Sequence, residues 1–136
     1  RYQQAEQHFL KAVSDPLYSA RHFAYVNAGV CMQSAGDNRK AEKYFRASLG
    51  VAPMFGPALI RMAHLTFGQD KCISALGFMR RWTKNNNWSS ESLWLAMKVE
   101  KKCGNINKYA SYGLLLRARF PTSVEASKYK QRKRRY

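Results

Sequence analysis

Three histidines, three cysteines and eight carboxylates are the side chains that could do acid–base, nucleophilic or metal chemistry in this chain. Their spacing assembles no such site. His8, His22 and His64 are dispersed, and the carboxylates lack the paired spacing that general acid and base work needs. No serine sits in a nucleophile elbow, and no glycine-rich phosphate loop is present. Cys31, Cys72 and Cys103 do not have metal-ligand spacing, and as an odd set they read as buried thiols acting as small hydrophobes. The expectation is a chain that is not an enzyme, needs no cofactor or metal, takes no small-molecule substrate, and works by binding protein.

The formal charge of +16, from 24 basic and 8 acidic residues, would attract nucleic acid, anionic lipid or an acidic protein partner. Most basic residues are scattered, and the one cluster, "KYKQRKRRY", reads as a solvated tail. Nucleic-acid binding calls for a stripe or patch and not for charge alone. A basic module binding nucleic acid or acidic partners is therefore the alternative reading. Hydrophobic residues at 46% and aromatics at 13% exclude a disordered chain. No apolar run approaches the ~18 residues needed to cross a bilayer. No signal peptide is visible, because the opening "RYQQAEQHFLKAV" already reads as amphipathic helix, so the chain is expected to begin inside a longer protein.

Apolar residues recur at helical spacing throughout, without sustained period-two alternation, which predicts an all-helical fold. Breaks at "SDP", "SAGDN", "VAP", "FGQD", "NNNWSS", "KCGN" and "RFP" delimit helices near 2–14, 18–35, 38–50, 55–67, 70–83, 90–103 and 106–119, with a last helix from about 122. The helices repeat. Ala41, Phe45 and Ser48 recur as Ala75, Met79 and Trp82, each 34 residues on; Ala5, Phe9 and Ala12 precede them, and Ala110 and Leu114 follow.

A period of 34 with small residues at set places resembles the tetratricopeptide repeat, a helix-turn-helix unit that stacks into a right-handed superhelix. On that resemblance, residues 1–136 form a single domain. A second helix of a partial repeat spans 1–14, repeats cover 18–53, 54–88 and a degenerate 89–121, and a C-terminal helix with a basic tail covers 122–136. Tyr25, Ala28, Gly29 and Met32 take the first-helix packing positions of the first repeat, and Leu59, Met62, Ala63 and Thr66 those of the second. Gly29 and Ala63 lie where the two helices approach most closely. In the third repeat, Trp94 and Met97 fit, but Lys98 falls where a small residue is expected.

In such repeats the first helices line a concave face. The register places Phe23, Val26, Asn27, Val30 and Gln33 there from the first repeat. Ile60, Arg61, His64 and Phe67 come from the second, and Leu95, Val99 and Lys102 from the third. Several are apolar, which predicts an exposed strip fit for a protein partner unless the C-terminal helix or another repeat covers it. Asn27 and Arg61 also fall at positions used by repeats that clamp a peptide carboxylate, but Pro57 stands where a second basic residue would be needed.

Three segments narrow the resemblance: "DPLYSARHFAYVNAGVCMQSAGDNRKAEKYFRASL", "SSESLWLAMKVEKKCGN" and "YASYGLLLRARFPTSVEA". Pro16, Leu17, Tyr18, Glu91 to Trp94, Phe120 and Pro121 are not required by a generic repeat, and they resemble the PilW/PilF type IV pilus biogenesis and stability proteins. That resemblance implies a lipoprotein pilotin on the periplasmic face of the outer membrane, its lipid anchor carried outside this chain. Its partners would be the outer-membrane secretin subunit, whose localisation and multimeric assembly it assists, and other pilus assembly proteins. A periplasmic setting permits disulfides. Cys72 near the start of one helix and Cys103 near the end of the next are then expected to lie close enough to bridge.

Overall fold

The computed structural model describes residues 1–14 and 20–135. Among them eight helices and no strand follow one another: α1 Tyr2–Ser14, α2 Arg21–Ser34, α3 Asn38–Val51, α4 Gly56–Gly68, α5 Cys72–Thr83, α6 Ser90–Lys102, α7 Ile106–Arg119 and α8 Val124–Arg135. Pro16, Leu17 and Tyr18 lie outside the described residues.

The repeat is written into the backbone. Gly36, Asp70 and Gly104, spaced 34 residues apart, have φ of 84°, 60° and 82°. Glycine adopts this left-handed conformation freely, and aspartate is among the few other residues that tolerate it. Each such residue lets the next N–H turn back onto the helix it leaves: Asp37 donates to the Met32 carbonyl at 2.8 Å, Lys71 to Thr66 at 2.9 Å and Asn105 to Glu100 at 2.8 Å. The following helix then opens with Ala41, Ala75 and Tyr109 donating to the carbonyls of Asp37, Lys71 and Asn105, each at 3.0 Å. The period extends to α8. The Ser89 hydroxyl accepts from the Ser92 N–H at 3.1 Å, and Ser123, one period later, accepts from Ala126 at 3.0 Å.

These turns correct the register of the third repeat by one residue. With Gly104 equivalent to Gly36, the counterparts of Ala41, Phe45 and Ser48 are Tyr109, Gly113 and Leu116. Ala110 and Leu114, expected to pack, are exposed, whereas Gly113 and Leu116 are buried. The counterpart of Gly29 is Met97, which is buried, and not Lys98.

By its internal contacts the chain divides into two compact units, Arg1–Leu65 and Thr66–Tyr136, with the division inside α4. In the first, α1 packs on α2 and α2 on α3. Ala28, Met32, Ala41, Phe45 and Leu49 fill the contact, and the Ser48 hydroxyl donates to the His22 carbonyl at 2.8 Å. Glu6 is buried yet satisfied: its carboxylate accepts from the Tyr44 hydroxyl and, at 3.3 Å, from Lys40 Nζ. In the second unit, α6 packs on α5, α7 and α8. Leu93, Trp94, Met97, Leu116, Ala126 and Tyr129 form its core. A disulfide joins Cys72 to Cys103, whose Cα atoms are 5.5 Å apart, so the start of α5 is tied to the end of α6. Cys31 is a free thiol.

Candidate protein-binding surface

In the first unit, Phe23 is 51% exposed and stacks edge-on against Phe55 at 4.8 Å, with His22 4.5 Å from Phe23 and 4.7 Å from Phe55. Asn27, Arg61 and His64 are exposed, and Val30, Gln33 and Ile60 are half-buried. Val26, although at a concave position, is buried. An exposed aromatic held by two other rings keeps its apolar surface open to solvent at little further entropic cost on binding, the property of a partner-facing side chain.

In the second unit the corrected register changes which side chains occupy the concave positions. Val99 moves off that face and is buried, 1% exposed. Lys102 also moves off: it pairs with Asp70, donates to the Phe67 carbonyl at 3.1 Å and lies 4.4 Å from the Phe67 ring centroid. Leu95 stays on that face, shifting from the position equivalent to Val26 and Ile60 to that of Asn27 and Arg61, but is fully buried, so it offers a partner nothing. The concave positions belong instead to Glu91, Trp94, Leu95, Lys98 and Lys101.

Trp94 and Lys98 line a cavity of about 370 Å³ with Lys128, Gln131 and Arg132 of α8. The Arg132 guanidinium carbon stands 5.0 Å from the Trp94 ring centroid, and Lys98 Nζ is 5.4 Å from the Phe67 ring. Burial pushes the Lys98 ammonium below the usual lysine range, and the charges of Arg132 and then Lys128 push it further. The basic segment expected to be a solvated tail thus supplies Lys128 and Arg132 to a packed helix. The signal for this was the period itself, since Lys128 and Arg132 follow Trp94 and Lys98 by 34 residues.

A second cavity of about 640 Å³, between α5, α6 and the start of α7, is walled by Trp88 and Tyr112 and holds Glu100. Trp82, Trp88 and Tyr112 form a chain of rings with centroid separations of 5.6 and 5.3 Å. Among the described residues, no group of three histidine, cysteine or acidic side chains is placed to hold a metal ion, and no helix is long and apolar enough to cross a membrane.

No protein-family model matches the chain. Its sequence is 26% identical over 133 residues to the type IV pilus assembly protein PilF of Pseudomonas aeruginosa, covering 98% of this chain and 53% of PilF. A solved structure from the functional characterisation of Pseudomonas aeruginosa PilF superposes with a TM-score of 0.88 at 26% identity, over 97% of this chain and 60% of that one. The crystal structure of PilW, described as a widely conserved type IV pilus biogenesis factor, gives 0.82 at 28% identity, over 94% and 59%. The chain spans little more than half the length of the relatives it matches. Sequence and fold agree along nearly all of it: the chain has a tetratricopeptide-repeat fold and is similar in both sequence and structure to the type IV pilus biogenesis proteins PilF and PilW.

Proposed function

We propose that this chain is part of a non-enzymatic pilotin, a scaffold that helps the secretin subunit reach the outer membrane and assemble into its multimeric ring. The observation that carries the reading is the agreement with PilF and PilW in both sequence and helix order over at least 94% of the chain. Three exposed or half-exposed features of the first unit, the Phe23 ring, Ile60 and Arg61, supply an apolar and polar surface of the kind that holds an extended partner segment. The Cys72–Cys103 disulfide suits an oxidising compartment such as the periplasm, where a lipid anchor outside this chain would hold the protein at the membrane.

The experiment is capture of secretin by the full-length protein, together with the amount of secretin multimer in outer-membrane fractions of cells lacking it. The parent protein is expected to capture secretin and restore the multimer. Phe23→Glu with Ile60→Glu should stay folded by circular dichroism and capture less. Normal multimer in cells without the protein would overturn the pilotin reading, and unaltered capture by the folded double variant would remove this surface from it.

A further inference from the structure

Lys98, Lys128 and Arg132 converge on the Trp94 cavity, and no carboxylate is among the described residues that line it. Among the described residues no carboxylate forms an ion pair with any of the three. Gln131, the remaining polar side chain lining the cavity, is uncharged. Lys98 is only partly exposed, and its neighbours across the cavity are both cations. Keeping three like charges around one apolar ring is unfavourable unless something anionic joins them. Arg132 is already ordered against the indole, so its guanidinium is pre-positioned to receive a carboxylate by two parallel hydrogen bonds.

We propose that this α6–α8 cavity binds carboxylate side chains of an acidic protein segment. The inference rests on charge and geometry within the second unit and is independent of the pilotin reading.

The chemistry favours a peptide over the other anions that a chain of +16 might attract. Trp94 is 7% exposed and already covered by Arg132, so no open ring is left on which a nucleic-acid base could stack. α8 buries Ala126 and Tyr129 against α6 and α7, which leaves it without the apolar face that a helix lying in a membrane surface inserts. A cavity of about 370 Å³ with cations at its rim is matched in size and charge by one or two acidic side chains. It also lies at concave positions, where repeats of this fold present their first helices.

The test is fluorescence anisotropy of a labelled oligoglutamate peptide titrated with the chain at low salt. Lys98→Gln with Arg132→Gln is expected to weaken binding by about tenfold or more. Arg39→Gln with Lys43→Gln removes the same charge from exposed sites on α3 and should change it by less than about twofold. Equal weakening by the two pairs would overturn the site and leave net charge as the explanation. Should the first pair fail to fold, Lys128→Gln alone, at an exposed position, is expected to weaken binding by about threefold, and an unchanged affinity would overturn the proposal. Single-stranded DNA or anionic phospholipid vesicles binding more tightly than the peptide, and losing that binding in the same variants, would overturn the acidic segment as occupant.

Discussion

Gly29 lies directly beneath the ring of Phe45, so close that a β-carbon on it would stand 2.5 Å from Cε1 and 2.7 Å from Cδ1. Phe45 is fully buried and cannot swing away. Gly29→Ala would gain about 1 kcal/mol in helix propensity, but overpacking a tight core costs about 1–3 kcal/mol. A net loss of about 1 kcal/mol is expected, read as a lower urea midpoint at unchanged slope. Phe45→Leu in the Gly29→Ala background should recover part of it, whereas Phe45→Leu alone should destabilise.

Tyr44 and Glu6 link α3 to α1 through a buried hydrogen bond. Burial, and then this bond, push the Tyr44 hydroxyl up to about 12 from 10.0. A raised value in the folded state favours the protonated form. The resulting stability is fully present below pH 10 and is lost as pH rises towards about 12. The loss is on the order of 2 kcal/mol. Alkaline unfolding of Tyr44→Phe should lack this component, and identical pH curves for variant and parent would show that the bond contributes nothing.

The first and second repeats were legible because a small residue, Gly29 or Ala63, is followed sixteen positions later by a larger one, Phe45 or Met79. The third inverts the pair. Met97 fills the first-helix position and Gly113 stands opposite in sequence, so the search for a small residue at the first place and a large one at the second slips by one. The room left at Gly113 is taken by Tyr129, whose Cε2 would lie 2.6 Å from a β-carbon there. Such exchanges keep the packed volume while erasing the signature. Helix ends, in contrast, were readable to within a few residues, since turn residues act locally. The Trp94 cavity was not, because α8 carries few apolar residues and its charges read as solvated until the period placed Lys128 and Arg132 against Trp94 and Lys98.

The Cys72–Cys103 disulfide closes a segment with a sequence separation of 31 residues. Constraining an unfolded loop of that size contributes about 3–4 kcal/mol. Cys72→Ser with Cys103→Ser should lower stability by about that amount under oxidising conditions, and dithiothreitol should lower the parent to the same level. Denatured, non-reduced protein should then titrate as one thiol, Cys31. Finding all three thiols free in oxidised protein would remove the bridge.

Among the described residues, Glu100 carries a buried side-chain oxygen that lacks a hydrogen-bond partner. It is 5% exposed, and its Oε2 has no hydrogen-bond partner. A buried acceptor left without a donor costs about 1–3 kcal/mol, and more if it carries charge. Arg80 and Lys108 line the same cavity, yet neither forms an ion pair with it among the described residues. Glu100→Met keeps the length of the side chain and removes the unpaired oxygen. The variant is expected to be more stable by about 1 kcal/mol, raising the melting temperature by roughly 3 °C. A loss of that size would instead mean that Arg80 or Lys108 reaches the carboxylate in solution. Of Arg80→Gln and Lys108→Gln, the one that removes the partner would then reproduce the loss in the parent and have no effect in the Glu100→Met background.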